Sequence, residues 1–342
     1  MPDERIPRVQ DLLDAFTMHS ALRAAARLAV PDLLAARPRT VGELAAAVAT
    51  ATGLGHPDER LLARLLRAMH HLRLVERDEA GRYLLTEEGS LLTTGRPDSL
   101  APQLLMWADD LWRESAHLLH RTIATGEAAA LKQLGVDSPY AYLQARPESA
   151  RLFHQLMSAV TVTVARALAG EEVPGSVTDI GGGTGVLLST LAGAHPGLRG
   201  ALLELPEVAA RAREALGPEF TVVAGDMFTD PLPPAELYVL SNVLHNYDDE
   251  RAAGLLARVA AAMAPDDRLW IVDGVLEDDP ARSTTASAAL DVMMLTLFAG
   301  GQERTLGELG ALLAGAGLAV LRSRPLPHGR HLVVAGPSGA RG

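Results

Sequence analysis

Apolar residues near the N-terminus recur at roughly helical spacing and predict a small helical domain. In residues 9–30 the apolar positions are Val9, Leu12, Leu13, Phe16 and Leu22. Thr40 and Glu43 form a capping-box pattern that predicts a second helix, and residues 57–72 predict a third. Two short strands around a turn at residues 78–81 follow. Helix, helix, helix and hairpin in this order predict a winged-helix domain over residues 1–98.

The middle of the chain predicts helices, and the C-terminal part predicts a sheet. Residues 99–170 keep a helical pattern, with breaks at Pro139 and Pro147. From residue 171 onward, short apolar runs alternate with helical segments, which predicts βαβ units and a parallel sheet covered by helices on both faces. We therefore expect an α/β domain over residues 171–342, with ligands at the carboxyl ends of its strands.

The composition narrows the range of partners. The 342 residues carry a formal net charge of −11 and no cysteine, which argues against nucleic acid or an anionic membrane and excludes disulfides and thiolate metal sites. No signal-peptide pattern begins the chain, and no apolar run approaches the roughly 18 residues of a membrane span. A cytoplasmic protein is the expectation. His117 and His120 are the best-spaced histidine pair, but no third ligand accompanies them, so no metal site is predicted.

A winged helix raises the alternative of a ligand-responsive DNA-binding regulator. The third predicted helix places Arg60, Arg64 and Arg67 at helical spacing, but Asp58 and Glu59 begin it. Phosphate contacts need a net basic face. We therefore interpret these arginines as a solvated helix face and expect the domain to make a homodimer.

The segment TDIGGGTG, residues 178–185, joins the first predicted strand of the sheet to the helix that follows. Its glycines allow a tight turn close to a ligand, yet it has no phosphate-loop lysine and does not complete the dinucleotide fingerprint. Asp179, Glu204 and Asp226 stand at three successive strand ends. The second of these can accept hydrogen bonds from ribose hydroxyls, while Asp226 and Met227 can hold a base. This set favours an adenosine whose 5′ substituent carries no phosphate.

The segment SNVLHNYDDE, residues 241–250, allows two interpretations of His245. It is either a structural histidine that closes a strand or a base that faces a substrate at the ligand-binding edge. Asp248 is expected to cap the next helix, with Asp249 in its first turn. Asp273, expected at the end of the next strand, lies at the same edge and can support a histidine base acting on a phenol.

Several segments together resemble the S-adenosylmethionine-dependent small-molecule O-methyltransferases of plants and bacteria, most closely the antibiotic-tailoring branch. They are VTDIGGGTG, LLELPEV, AGDMFTDPLP, VLHNYDDE, GGQERT and the upstream LTEEGSLL, and the resemblance covers nearly the whole chain. It implies a Rossmann-like catalytic domain and a winged-helix dimerisation domain. It also implies that His245 is the general base and that Asp273 and Glu303 orient its ring.

The resemblance further implies S-adenosylmethionine as the cofactor. The predicted cofactor residues are Asp179, Gly181, Gly183, Glu204, Leu205, Asp226, Met227, Phe228 and Ser241. The chain departs from the family pattern at Tyr247, where tryptophan is usual, at Glu204, where aspartate is common, and at Ser241, where plant members usually carry lysine.

We therefore predict an O-methyltransferase that acts on a phenolic or enolic hydroxyl of a natural product. The acceptor pocket is expected between the helices of residues 100–170 and the strand ends. Its predicted wall is Trp107, Phe153, Met157, Asn246 and Met294. Methylation of carbon or nitrogen by the same fold stays open as an alternative, as does the regulator, which salt-sensitive binding to DNA fragments would reveal.

Overall fold

The computed structural model describes residues 9–96, 98–279, 282–298 and 300–339. The chain forms two compact units, one of Met1–Arg113 and Leu143–Ala159 and the other of Glu114–Tyr142 and Val160–Gly342. Residues 99–170 thus contribute to both units. The three-part division at residues 98 and 170 stays a prediction.

The N-terminal region contains the three predicted helices and the hairpin, with two additional short helices. Its elements are α1 (Val9–Arg27), α2 (Val30–Ala36), α3 (Val41–Thr52), α4 (Glu59–His71), β1 (Val75–Arg77), β2 (Tyr83–Leu85) and α5 (Glu87–Ser90). The first helix ends before residue 30 because Ala29 has a φ of 53°, in the left-handed region. The capping box of Thr40 and Glu43 is confirmed at the start of α3. Leu44, Leu66 and Met69 are fully buried in the core of this region.

The middle region is a run of helices broken by glycine and proline. Its elements are α6 (Ala101–Met106), α7 (Asp110–His117), α8 (Leu119–Thr125), α9 (Ala129–Leu134), α10 (Pro139–Gln144) and α11 (Pro147–Leu168). Gly126 and Gly135 end α8 and α9 in the left-handed conformation. Pro139 and Pro147 are the first residues of α10 and α11, as expected of a residue that fits the first turn of a helix.

The second unit is built around a twisted sheet with helices on both faces. Its elements are β3 (Ser176–Ile180), α12 (Val186–Ala194), β4 (Arg199–Glu204), α13 (Pro206–Ala215), β5 (Phe220–Ala224), β6 (Leu237–Ser241), α14 (Asp249–Ala262), β7 (Arg268–Leu276), α15 (Thr285–Leu297), β8 (Arg304–Thr305), α16 (Leu306–Gly315), β9 (Leu318–Pro325) and β10 (Arg330–Pro337). The strand order is β5-β4-β3-β6-β7-β10-β9, and β8 pairs with β7. Apolar clusters cover both faces, with Leu188 and Leu202 on one and Leu240 and Leu255 on the other.

The prediction of a parallel sheet holds from β5 through β7 and fails at the other edge. There β10 pairs antiparallel with both β7 and β9. The order of strands reverses direction at β3, which has β4 on one side and β6 on the other. Ligands of such sheets bind outside the carboxyl ends of the strands at this reversal. The glycine turn follows β3 there, and His245 follows β6.

Candidate active site

The glycine turn after β3 presents bare backbone at the ligand edge. Gly181 and Gly183 have φ angles of 71° and 63°, which side chains disfavour. A Cβ on Gly182 would lie 2.1 Å from Oδ2 of Asp179. The turn therefore needs glycine both for its shape and for its close approach to Asp179.

Asp179 and Glu204 form an acidic pair beside this turn. Asp179 is fully buried, and neither carboxyl oxygen has a hydrogen-bond partner among the described residues. Burial, followed by the charge of Glu204, raises the pKa of Asp179 to about 7. Glu204 accepts the N–H groups of Gly183 at 2.9 Å and Leu205 at 2.8 Å. Burial nevertheless outweighs these hydrogen bonds and raises the pKa of Glu204. The pair therefore favours a ligand that brings hydrogen-bond donors or positive charge.

The turn after β5 presents Asp226, Met227 and Phe228. One carboxyl oxygen of Asp226 accepts the N–H of Phe228 at 2.8 Å, and the N–H of Asp226 donates to Asp230 at 2.7 Å. Nε of Arg258 donates to the carbonyl oxygen of Met227 at 3.0 Å. These bonds fix the turn, and the Asp226 carboxylate keeps acceptor capacity for a ligand because each of its oxygens can accept more than one hydrogen bond.

An aromatic pair stands next to this turn. The rings of Phe228 and Tyr247 meet edge to face, with centroids 5.0 Å apart and planes at 80°. The guanidinium carbon of Arg251 lies 4.4 Å from the centroid of Phe228 and 5.1 Å from that of Tyr247. Tyr247 stands where tryptophan is usual in the family that the sequence resembles, and it still provides an aromatic ring held in place by its neighbours.

His245 is buried and hydrogen-bonded to a carboxylate. It lies in a short 3₁₀ helix, Leu244–Asn246, just after β6 and is 5% exposed. Its Nδ1 is 2.8 Å from Oε1 of Glu303 and 4.0 Å from Oδ1 of Asp273. The expected position of Asp273 at a strand end is wrong, since β7 continues for three residues beyond it, to Leu276. The structure still brings the three residues together, and Glu303 makes the hydrogen bond.

The pKa values of the two carboxyl groups beside His245 are shifted in opposite directions. Burial acts to raise the pKa of Glu303, but the hydrogen bond with His245 and the charges of His245, Arg330 and Arg304 outweigh it and leave that pKa lowered. Burial raises the pKa of Asp273 to about 6, while the nearby His245 opposes this rise. An ionised Glu303 accepts a hydrogen bond, so the ring proton of a neutral His245 sits on Nδ1 and Nε2 is free to accept another.

Arg304 fastens the loop that carries His245. It is 5% exposed and donates to the carbonyl oxygens of Leu244 at 3.2 Å and Tyr247 at 2.8 Å. It also contacts the carboxylate of Asp249 at 2.8 Å. Asp248 caps α14, as predicted, by accepting the N–H of Arg251. These bonds fix the backbone on both sides of His245.

Tyr140 is a neighbour of the site that sequence reasoning missed. Nδ2 of Asn246 donates to the carbonyl oxygen of Asn242 at 3.2 Å and lies 3.4 Å from the hydroxyl of Tyr140. The ring of Tyr140 lies 6.0 Å from that of Phe298, measured between centroids. Tyr140 stands in the short helix α10, far from His245 in sequence and outside every motif, so no local signal marked it.

Two parts of the chain match known domains. Residues 117–319 match the O-methyltransferase domain, and residues 10–95 match the O-methyltransferase dimerisation domain. The chain belongs to the O-methyltransferase family. Members of this family depend on S-adenosylmethionine.

Individual family members resemble the chain over nearly its whole length. The phenazine O-methyltransferase PhzM of Lysobacter antibioticus is 34% identical over 95% of this chain and 94% of its own length. The structure of the mitomycin 7-O-methyltransferase MmcR has a TM-score of 0.83 at 32% identity and covers 96% of both chains. NcsB1 from neocarzinostatin biosynthesis, solved with S-adenosylmethionine and 2-hydroxy-5-methyl naphthoic acid, has a TM-score of 0.73 at 34% identity and covers 93% of this chain and 95% of its own. The predicted family and fold are confirmed, and the chain is an O-methyltransferase of natural-product metabolism.

The residues at the glycine edge fit the family cofactor. S-adenosylmethionine carries positive charge on its sulfonium and amino groups and has no phosphate. The buried acids Asp179 and Glu204 suit such a ligand, and the turn that they face contains no lysine or arginine. Ser241, the last residue of β6, has its hydroxyl 3.4 Å from Nδ2 of Asn242 and lies at the same edge of the sheet.

The residues predicted for the acceptor wall fall in different units. Trp107, Phe153 and Met157 belong to the first unit, where the ring of Phe153 lies 6.2 Å from that of Trp112, measured between centroids. Asn246 and Met294 belong to the second and are 8% and 5% exposed. Their role as an acceptor wall stays a prediction.

No group of three or more histidine, aspartate or glutamate side chains that could hold a metal ion occurs among the residues that the structure describes. In the same part of the chain, every helix is too short or too polar to cross a membrane.

Proposed function

We propose that this O-methyltransferase methylates a phenolic or enolic hydroxyl of a natural product, with His245 as the general base. The observation that carries the proposal is the contact of 2.8 Å between Nδ1 of His245 and Oε1 of Glu303. The opposite ring nitrogen, Nε2, is then the proton acceptor. It stands at the edge where β3 and β4 end beside the cofactor-binding acids.

The base is needed because a phenol has a pKa near roughly 10 and is mostly protonated at neutral pH. Nε2 of His245 takes the proton of the acceptor hydroxyl and leaves the acceptor oxygen as the nucleophile. Glu303 stabilises the positive ring that results, through its hydrogen bond and its charge. Bound S-adenosylmethionine supplies a methyl carbon activated by its sulfonium sulfur.

Asp273 has a second, weaker part in this scheme. Its oxygen lies 4.0 Å from Nδ1 of His245, beyond hydrogen-bond distance. Burial raises the pKa of Asp273 to about 6. A positive charge on the ring favours the ionised carboxylate, so Asp273 adds to the stabilisation after His245 has taken the proton.

The cofactor residues divide by the part of the ligand that each suits. We assign Glu204 to the ribose hydroxyls, Asp226 to the adenine amino group, and Met227 and Phe228 to the faces of the base. The remaining proposed contacts are Asp179, Gly181, Gly183, Leu205 and Ser241. The open glycine backbone lets the ligand approach closely, and the acids complement its donors and positive charge.

The acceptor class follows from the base and from the relatives. Relatives are named for phenazine and mitomycin substrates, and one was solved with a hydroxylated naphthoic acid. We propose an aromatic or enolic acceptor of this general kind, contacted by Asn246 and Met294. Trp107, Phe153 and Met157 stay predicted acceptor residues.

We also propose that the N-terminal domain makes a homodimer. It matches the family's dimerisation domain, and α1 exposes Val9, Leu12, Leu13 and Phe16 by 56–79%. Single exposed apolar residues are common, but a contiguous patch on one helix marks an interaction surface. We expect Phe16→Asp to shift the protein toward monomer in light scattering. Leu54→Asp is the matched control, because Leu54 is 74% exposed but lies outside α1.

The first test of the function is calorimetric titration with S-adenosylmethionine and S-adenosylhomocysteine. We expect micromolar binding of both ligands, loss of binding in Asp226→Ala, and unchanged binding in Asp266→Ala, which removes an acid from the opposite end of the sheet. Phenolic acceptors are then screened with a labelled methyl group, and NMR of the product identifies the methylated atom. A product methylated on carbon or nitrogen, or no binding of either ligand, would contradict the proposal.

A further inference from the structure

Arg330 is a buried cation that the proposed mechanism does not use. It is the first residue of β10, is 7% exposed, and its Nε has no hydrogen-bond partner among the described residues. Buried charges are costly unless another charge or hydrogen bonds compensate them. Arg304, equally buried, has the carbonyl oxygens of its loop and Asp249 as partners. The buried positive charge of Arg330 must therefore be compensated by a different group.

The register of the sheet places Arg330 beside the carboxylate of Glu303. Arg330 is paired directly with Gly274 across the antiparallel strands β10 and β7. Side chains of directly paired residues lie on the same face, with Cβ atoms about 4.5–5.5 Å apart. Gly274 has no side chain, and Glu303 fills the space: a Cβ on Gly274 would lie 2.4 Å from Oε2 of Glu303. Arg330 therefore extends from the same face on which the Glu303 carboxylate rests.

Oε2 of Glu303 is the atom that the positive charge of Arg330 can stabilise. Oε1 is bonded to His245, whereas Oε2 is buried without a hydrogen-bond partner among the described residues. Several charged or titratable groups surround the carboxylate, from the loop after β6, from β7, α15 and β8, and from β10. They are His245, Asp273, Asp291, Arg304 and Arg330, and His331 of β10 is paired with Asp273. Arg330 and Arg304 favour the ionised form of Glu303. Arg304 has Asp249 as an ion-pair partner, whereas Arg330 has no carboxylate within ion-pair distance among the residues that the structure describes.

We propose that Arg330 is a positioning residue that keeps Glu303 ionised and thereby sets the pH range in which His245 can act as a base. This proposal rests on the function proposed above. A guanidinium remains charged at any pH of interest, so it is a constant source of positive potential beside the histidine–carboxylate cluster. Loss of that charge makes every group of the cluster easier to protonate. The acid limb of the pH–activity profile then moves to higher pH, and a smaller fraction of the enzyme is active at neutral pH.

The decisive measurement is the pH at which the cluster takes up a proton, followed by the ring signals of ¹⁵N-labelled histidine. The His245 signal is assigned by its loss in His245→Gln. The variants are Arg330→Gln, which removes the charge, and Arg330→Lys, which keeps it. Arg268→Gln is the matched control. Arg268 begins β7, the strand that contains Gly274, and donates to the carbonyl oxygens of Asp266 and Asp267 at the far end of the sheet.

We expect the midpoint of Arg330→Gln to rise by on the order of one pH unit. The lysine variant and Arg268→Gln should stay within about 0.3 units of the wild-type midpoint, well below that shift. Thermal unfolding is measured alongside, because a purely structural role would lower the stability of both Arg330 variants and leave the midpoint unchanged. An unchanged midpoint in folded Arg330→Gln overturns the proposal.

The titration requires no methyl transfer, so its failure is distinct from failure of the proposed function. If the midpoint moves, the acid limb of kcat/KM should move with it by the same amount. If the midpoint moves while His245→Ala retains full activity, the charge role of Arg330 stands and the base role of His245 is wrong.

Discussion

Two buried carboxyl groups lie at the carboxyl edge of the sheet, Glu303 beside His245 and Asp179 beside the glycine turn. Their pKa values are shifted in opposite directions. Glu303 has a histidine partner and two arginines nearby, and its pKa is lowered despite burial. Asp179 has Glu204 as its charged neighbour, and its pKa is raised to about 7. Glu303 therefore has positively charged neighbours within the chain, whereas Asp179 gains a donor or a positive charge when a ligand brings one. Burial acts to raise the pKa of both carboxyl groups, and the charges of their neighbours decide the direction of the net shift.

The largest effect should come from Asp179→Asn, measured as the free energy of unfolding without ligand. The pKa of Asp179 lies near 7 in the folded chain and near roughly 4 unfolded, so folding takes up a proton between these values. The wild type therefore loses stability as pH rises from about 4 to about 7. The variant lacks this titration. The difference in free energy of unfolding, variant minus wild type, should therefore be about 2–4 kcal/mol larger at pH 8 than at pH 4. Denaturant titrations at both pH values check this, and parallel pH curves for the two proteins would contradict it.

Glu303→Gln should break the other half of the comparison. The amide keeps the shape but removes the charge that holds the Nδ1 proton and stabilises the protonated ring. We expect kcat/KM to fall by ~10²-fold, or about 2.7 kcal/mol, with S-adenosylhomocysteine affinity unchanged. The control is Glu308→Gln, which removes a nearby glutamate that caps α16. A loss of S-adenosylhomocysteine affinity as large as the loss of kcat/KM would show that Glu303 acts in cofactor binding and not through His245.

Gly274→Ala should move Glu303 without changing its chemistry. The added methyl group would lie 2.4 Å from Oε2 of Glu303, so the carboxylate must shift away from His245. We expect a loss of about 10-fold in kcat, or about 1.4 kcal/mol. Gly310→Ala in α16 is the control, since the nearest atom to its Cβ would be 4.0 Å away. Equal activity of the two variants would show that the position of Glu303 does not matter.

The smallest effect should come from Asp273→Asn. Asp273 is as buried as Glu303 but lies 4.0 Å from the ring nitrogen, and its pKa is raised to about 6. Because Asp273 makes no hydrogen bond to the ring, we expect kcat to fall by less than about five-fold. The kcat values of Asp273→Asn and Glu303→Gln are compared by steady-state kinetics. A loss as large as that of Glu303→Gln would mean that the two carboxylates share the role equally.

The sequence predicted the parts of the site that local chemistry determines. The glycine turn, the acids at successive strand ends and the cap at Asp248 each depend on residues close together in the chain. The partners that depend on tertiary pairing were not predictable in this way. Arg330 meets Glu303 only through the register of β10 on β7, and Tyr140 reaches Asn246 from a helix 106 positions away.

The errors have the same origin. The apolar run around His245 suggested the end of a strand, but β6 stops at Ser241 and His245 stands in a 3₁₀ turn. The antiparallel edge of β9 and β10 escaped prediction because apolar runs do not reveal strand direction. The resemblance to a family added Glu303, which spacing alone could not join to His245 across 58 positions.

The central claim, that His245 removes the acceptor proton, is tested most directly by varying the acidity of the acceptor. His245→Ala and wild type are compared on accepted phenols whose ring substituents lower the hydroxyl pKa from roughly 10 to below the assay pH. His195→Ala serves as the control for loss of a histidine elsewhere in the same unit. The account predicts a loss of ~10²-fold or more for the least acidic phenols, shrinking toward no loss for those already ionised. A loss of the same size across the whole series would show that His245 positions the acceptor and is not its base.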